Sequence, residues 1–294
     1  MLGRMQRTIR QSAETSGIGF LTGRDIHLRF QPASADQGVV FRRSDRPQLR
    51  PIPATIEFAV HRERRTAIER DGVAIEMIEH VMAALAGLRI DNCTVEIDGP
   101  EPPGLDGSSL QFAEALLGAG IVEQSVPRPT FALDETVFVA EAEDESEITY
   151  RPLTGGGLVL AYHLNYGPRS PIPAQSFSIE ITPENFMAEL AFSRTFVLER
   201  EAVALRAAGY GSRTTARDLL IFGVAGPIEN TLRAANECAR HKVLDCLGDF
   251  ALIGCDLAGH FAAYRSGHHL NRAMIRKLRA KSAEREEHRV GRAA

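Results

Sequence analysis

The chain holds 294 residues, 44% of them hydrophobic and 24% charged, with a net charge of −4. That length exceeds one ordinary core and predicts two domains, while the charge balance, with no basic stripe, excludes a nucleic-acid binder. Apolar stretches such as Leu158 to Tyr162 and Ile221 to Ala225 are too short to span a bilayer, and the basic segment Met1 to Arg10 leads into no signal-peptide core, so a cytoplasmic chain without stable membrane insertion is expected.

Ile26, Leu28 and Phe30 alternate with polar neighbours, the mark of a half-buried strand. Further strands are predicted over Gly38 to Arg43 and Thr55 to Val60. From Ile75 to Leu88 the residues Ile75, Ile78, Met82 and Leu85 recur at helical spacing, and Gly87 with Asp91-Asn92 suits a helix stop. Cys93 to Ile97 reads as a strand. Asp98-Gly99-Pro100 opens a loop, which Asp106-Gly107-Ser108-Ser109 closes with N-cap chemistry before a helix from Leu110 to Leu117. The polar, proline-bearing stretch Gln124 to Pro129 is predicted to link an N-terminal domain, 1–126, to a C-terminal one, 127–294.

In the second half, strands are predicted at Thr136 to Val139 and Leu158 to Asn165, with Gly155-Gly156-Gly157 turning before the latter. Ser176 to Ile181 alternates again. Pro183 to Leu190 is a short helix with proline at its start, and Ala202 to Ala208 another, followed by the flexible Gly209-Tyr210-Gly211-Ser212. Leu219 to Val224 reads as a strand, Glu237 to Leu247 as a helix, Cys255 to Tyr264 as mostly strand, and Leu270 to Ala280 as the last helix. The charged tail, 281–294, is expected to fray. Runs of strands followed by helices define an α+β class, with one layout in both halves.

The four cysteines, Cys93, Cys238, Cys246 and Cys255, form no C-x-x-C pair, which disfavours thiolate-held zinc and leaves buried free thiols. Chemistry concentrates elsewhere. In Arg240-His241-Lys242-Val243-Leu244-Asp245, a His and an Asp four apart share a helix face. An imidazole nitrogen and a carboxylate oxygen so spaced can reach one zinc ion, and Asp249 continues the face. Taken alone, such a pattern is more often an exposed ion-pairing face. Glu79-His80 shifts the balance, because it sits between Ile78 and Val81 in an apolar helix, where both polar groups need partners. A third ligand with an adjacent general base fits there. Ser266-Gly267-His268-His269-Leu270-Asn271 brings a tandem histidine to a helix start, and the tandem leaves open which of the two acts. No H-E-x-x-H, P-loop or G-x-S-x-G motif is present.

Ile78 to Leu88 with Ile90-Asp91-Asn92 resembles the signature of the UDP-3-O-acyl-N-acetylglucosamine deacetylases, zinc amidases of lipid A synthesis. Asp98-Gly99-Pro100-Glu101 with Asp106-Gly107-Ser108, Arg194-Thr195-Phe196, Arg240 to Asp245 with Gly248-Asp249, and Gly267-His268 with Leu270-Asn271 extend the likeness from Gln6 to Leu278. The resemblance implies two similar α+β domains with helices sandwiched between two outer sheets. It implies a catalytic zinc ion (iron(II) can fill such a site) on His80, His241 and Asp245, Glu79 as general base and His268 as general acid. Asp249 would orient His268, and Thr195, with Lys242 close by, would hold the carbonyl oxygen. Phe196, Arg265 and Tyr210 are expected on the substrate, Arg265 near the UDP phosphates and Tyr210 in an apolar acyl passage built from about 197–224. Leu21 stands where the family usually has His, and Leu232 to Cys238 departs from the usual acidic and aromatic version. The tail is expected to end without the dehydratase domain that some relatives carry, and a monomer is expected. A zinc-stabilised binding protein and an amidase for another N-acetylated sugar remain as rival readings.

Overall fold

A computed structural model describes residues 3–143 and 145–293, the side chains of 285–293 excepted. Ile26, Leu28 and Phe30 bury one face of the strand Asp25–Pro32, as their alternation demands. That strand lies in a five-stranded sheet ordered Ala13–Ile18, Asp25–Pro32, Cys93–Ile97, Val39–Arg43, Ile52–Pro53. Neighbours are antiparallel except Val39–Arg43, which runs parallel to Cys93–Ile97. A second sheet is ordered Val137–Glu141, Ser146–Arg151, Gly259–Tyr264, Leu158–Leu164, Gln175–Glu180, and its one parallel pair is Leu158–Leu164 with Gly259–Tyr264. Order and direction are thus identical in the two sheets. Each half also carries a three-stranded insertion after its fourth sheet strand, at Ala59–Val60, Ala67–Arg70, Val73–Glu76 and at Phe196–Leu198, Leu220–Gly223, Gly226–Pro227.

Six helices complete the described chain: α1 (Glu79–Gly87), α2 (Leu110–Gly118), α3 (Pro183–Asn185), α4 (Glu199–Ala207), α5 (Glu237–Phe250) and α6 (His268–Ala293). α1 packs on α5 and α2, α5 on Leu158–Leu164 and Gln175–Glu180, and α6 on α5 and the first two strands of the second sheet. Eight of the nine α1 residues are buried, because other elements surround this helix. One continuous apolar core runs from Phe30, Phe41 and Val95 through Met82 and Leu85 of α1 to Val243, Leu244 and Phe261. The α+β class and the similar halves are as expected.

Several boundaries differ. The helix expected from Ile75 starts at Glu79, because Val73–Glu76 is a strand that buries Ile75, and Met77 turns the chain with a φ of 58°. A short apolar run does not separate the two periodicities. The strand expected over Thr55 to Val60 is confined to Ala59–Val60. The expected link from Gln124 is largely a strand, Ile121–Pro127, paired antiparallel with Met5–Ile9. Pro183 to Leu190 is the short α3 followed by a π-turn, Phe186–Leu190, and Thr182 Oγ1 caps it by accepting from the Asn185 N–H at 3.1 Å. α5 runs on to Phe250, and α6 begins at His268 and continues through the charged tail to Ala293 rather than ending at Ala280. The last residue of that tail lies outside the described residues.

The helix crossing at the centre depends on one glycine. A Cβ at Gly248 on α5 would lie 2.1 Å from the carbonyl oxygen of Glu79 and 3.2 Å from its Cα, both backbone atoms that cannot step aside. Alanine improves intrinsic helix propensity by about 1 kcal/mol, but overpacking a fixed contact costs about 1–3 kcal/mol or more. Gly248→Ala is therefore expected to lower stability by about 2 kcal/mol in denaturant unfolding and to reduce bound metal, because it drives α1 from α5. A variant as stable as the parent, with full metal content, would show that the helices separate freely.

Candidate active site

α1 and α5 meet with their polar residues turned to one another. His241 and Asp245 are one turn apart on α5, and His241 Nε2 lies 3.3 Å from Asp245 Oδ1. His80 Nε2 on α1 lies 3.8 Å from the same oxygen, and the two rings meet nearly perpendicular with centroids 5.0 Å apart. One donor atom from each of the three lies within 4.8 Å of the others, and all three residues are buried. Ligands at zinc-like bond lengths in a tetrahedron stand about 3.4 Å apart, so the spacing needs little adjustment.

On α5 the other polar atoms of His241 and Asp245 are engaged in a way that leaves the inward ones available. His241 Nδ1 donates to the Ser193 carbonyl at 3.0 Å, which assigns the tautomer with a lone pair on Nε2. Lys242 Nζ donates to Asp245 Oδ2 at 2.8 Å. Asp245 Oδ1 is buried without a hydrogen-bond partner, an uncompensated anionic oxygen that a cation would satisfy. Burial, with His241 beside it, pushes His80 down to about 3, and burial lowers His241 as well. Burial thus favours the neutral form of both imidazoles, the form that binds a metal. Burial works against the Asp245 carboxylate, but His241, Lys242, His268 and His80 together hold its pKa well below the usual range. These residues fit a divalent metal.

Glu79 and His268 face the same space. His268 Nε2 is 4.0 Å from Glu79 Oε1 and 3.9 Å from Asp245 Oδ2. Burial pushes the Glu79 carboxyl up to about 7 despite the opposing pull of His268. Burial alone would lower His268, but Asp249, Asp245 and Glu79 outweigh it and raise the imidazole to about 9. His268 Nδ1 donates to Asp249 Oδ2 at 2.9 Å, and Asn271 Nδ2 donates to the same oxygen at 2.7 Å. His269 is exposed and meets only the ring of His61 edge-on at 5.8 Å. The structure thus separates the two members of the tandem.

Thr195 and Phe196 follow Ser193 along one edge. A buried pair fixes that segment to the first residue of α5, with Arg194 Nε donating to Glu237 Oε1 at 2.8 Å. Thr195 N donates to the Gly107 carbonyl at 2.7 Å, and the Phe196 ring lies edge-on to His241 at 6.1 Å. Both line a cavity of about 660 Å³ with Phe20, Leu21, Met77 and Tyr210. Buried Glu101 accepts from the Leu21 and Thr22 backbone N–H groups and so sets the loop that brings Leu21 to this wall. α4 covers one side, with Ala202 turned in and Val203 61% exposed. Arg265, with a φ of 53°, ion-pairs with Glu145 at 2.9 Å rather than with any of these groups. Two participants were not expected: Thr66, which touches both Glu79 and Asp249, and Asn271. A lone threonine just before a strand carries no pattern, whereas Asn271 stood within the quoted His-Leu-Asn motif without a role.

A buried His-His-Asp group flanked by a carboxyl and an imidazole, set between two repeated α+β layers, is the arrangement of a metal-dependent hydrolase. Residues 6–280 match the family model of UDP-3-O-acyl N-acetylglycosamine deacetylase. Curated proteins named UDP-3-O-acyl-N-acetylglucosamine deacetylase are similar over almost the whole chain. That of Myxococcus xanthus is 33% identical across 93% of this chain and 86% of its own length. That of Actinobacillus pleuropneumoniae serotype 3 is 35% identical across 94% and 90%, and that of Xanthomonas oryzae pv. oryzae 33% across 95% and 91%. The chain belongs to the UDP-3-O-acyl N-acetylglycosamine deacetylase family.

Purified protein should carry about one divalent ion per chain, and His241→Ala or Asp245→Ala should release it, because losing one of three ligands removes much of the affinity. Elemental analysis after dialysis measures this, and full metal content in both variants would end the ligand assignment.

Proposed function

We propose that the chain hydrolyses the N-acetyl amide of UDP-3-O-acyl-N-acetylglucosamine, releasing acetate, as a step of lipid A biosynthesis. One zinc ion per chain on His80, His241 and Asp245 is the proposed cofactor, and iron(II) is the alternative for the same donors. The carrying observation is the convergence of Glu79 and His268 beside Asp245, whose inward oxygen has no partner. A divalent ion on these ligands supplies an acidified water and a polarised amide carbonyl.

Amide hydrolysis needs one proton taken from water and one given to nitrogen. Glu79, ionised over part of its population near neutral pH, takes the first. His268, kept protonated by Asp249, gives the second from Nε2. Thr195 sits where a donor can hold the carbonyl oxygen as negative charge grows on it. Lys242 works through Asp245, whose outward oxygen it occupies. Phe196 backs the site, and the cavity that begins at Thr195 and Phe196 takes the 3-O-acyl chain past Leu21 to Tyr210. Arg265, three residues before His268, is the proposed cation for the UDP phosphates. Its partner Glu145 is 78% exposed, and a surface pair of this kind yields readily to a stronger anion. All of these residues come from one chain, so a monomer is complete. Among the described residues no helix is long and apolar enough to cross a membrane, and the free cysteines suit a reducing cytoplasm.

The direct test is acetate release from UDP-3-O-acyl-N-acetylglucosamine before and after chelation. Activity should vanish with the metal and return with zinc, and inertness of the fully loaded protein would refute the reading. Glu79→Ala should keep the metal yet lose about 10²–10⁴-fold in turnover. His268→Ala should be impaired likewise and His269→Ala far less; the reverse order would exchange the two histidines. Tyr210, which lines the cavity, is 40% exposed. Each methylene the cavity buries adds about 0.8 kcal/mol. Tyr210→Ala should therefore extend the preferred acyl length, read as kcat/KM over graded chains. Identical profiles would remove Tyr210 from the passage.

A further inference from the structure

Thr66 is hydrogen-bonded both to Glu79 and to Asp249, the partner of His268. It is fully buried and immediately precedes the second strand of the first insertion, and each of its polar groups is committed. Its backbone N–H donates to Glu79 Oε2 at 3.1 Å. Its carbonyl accepts from the Ile78 N–H at 3.2 Å, immediately before Glu79. Its hydroxyl makes a very close hydrogen bond to Asp249 Oδ1, the oxygen that His268 and Asn271 leave free. The same hydroxyl oxygen lies 3.3 Å from His268 Nδ1 and accepts from Arg272 Nη1 at 3.4 Å. Donation to Asp249 and acceptance from Arg272 fix its proton toward the carboxylate.

We propose that Thr66 is a positioning residue that sets the acid pair Asp249–His268 and the base Glu79 at a fixed separation through its hydroxyl and its backbone N–H. This rests on the roles given above to Glu79 and His268. The geometry explains why the hydroxyl matters beyond shape. Asp249 is fully buried. Without the Thr66 donor its Oδ1 is left unsatisfied, and the carboxylate is free to rotate off the line that aims His268 Nε2 at the leaving nitrogen. An unpaired buried acceptor of this kind is costly, and hydrogen bonds to charged groups are among the stronger ones. In rate terms the loss corresponds to about 10–100-fold. Arg272, 1% exposed, makes long contacts to Thr66 Oγ1 and the Arg65 carbonyl. It backs the hydroxyl from the side away from Asp249.

The test uses metal-loaded full-length protein, with kcat, KM and metal content measured together. Thr66→Val keeps the shape and the backbone N–H but removes the hydroxyl. It should lose about 10–100-fold in kcat with KM and metal content near the parent values, and Thr66→Ser should restore most of the rate. Thr66→Ala removes the same hydroxyl and carries the measurement if valine is not tolerated. In a His268→Ala background, removing the hydroxyl should cost less than about 3-fold further, because the group it positions is gone. Parental kcat in Thr66→Val, an equal further loss in the His268→Ala background, or failure of serine to rescue would overturn the inference alone. Unimpaired turnover in His268→Ala would overturn the acid assignment, and this inference with it.

Discussion

The site depends on the close crossing of α1 over α5. Helices with ordinary side chains at their contact stand about 8–10 Å apart. Here Gly248 lets the backbone of Glu79 come down onto α5 with no side chain between. Every key group is counted from that contact. Glu79 and His80 lie at it on one helix, while Asp245 and Asp249 flank it on the other and His241 is one turn beyond. A larger separation would leave His80 and Asp245 too far apart to share an ion and would part Glu79 from His268. Because the helices belong to different halves of the chain, the His-His-Asp group is assembled only when both halves have folded and docked.

Such a crossing buries an unusual density of charge. Glu79, Asp245 and Asp249 lie within a few ångströms of His80, His241, His268 and Lys242, and all are buried or nearly so. Isolated, each ion would carry a desolvation cost of several kcal/mol. The structure answers each oxygen singly. Lys242 takes one oxygen of Asp245, and His268 with Asn271 takes one of Asp249, leaving Thr66 the other. The exception is Asp245 Oδ1. Among the carboxylate oxygens of the site, this buried one without a partner lies beside the two imidazoles His80 and His241, where a cation would satisfy it.

How much of this the sequence disclosed follows from how local each feature is. Strict alternation placed Asp25–Pro32, and the i,i+4 pair His241 and Asp245 placed two ligands on one face, because both patterns repeat within a few residues. The start of α1 was missed because Ile75 and Ile78 fit a helical period while belonging to a strand and a turn. Met5–Ile9 and Ile121–Pro127 were not joined, since only their mutual pairing makes the second a strand rather than a linker. The identity of the two sheets was visible as a shared layout but not as strand order, which is fixed by partners far apart in the chain. The residues alone left His268 and His269 equivalent and the family resemblance favoured His268; in three dimensions Asp249 bonds the first while the second is exposed.

The repeat also explains where function could be added. In both halves the order is four sheet strands, an insertion, a core helix, the fifth strand and a last helix. The two frameworks are alike, but the insertions are not. The first, antiparallel throughout, carries Thr66 to Glu79 and Asp249 and leads through Met77 into α1. The second, with one parallel pair and the added helix α4, carries Phe196 to His241 and builds most of the apolar cavity. The first leads into the start of α1 at the crossing, and the second leads to the N-terminal end of α5 and meets His241. A symmetric scaffold thereby presents two unlike walls around the His-His-Asp group, a hydrogen-bonding one built on Thr66 and one that forms most of the cavity lining.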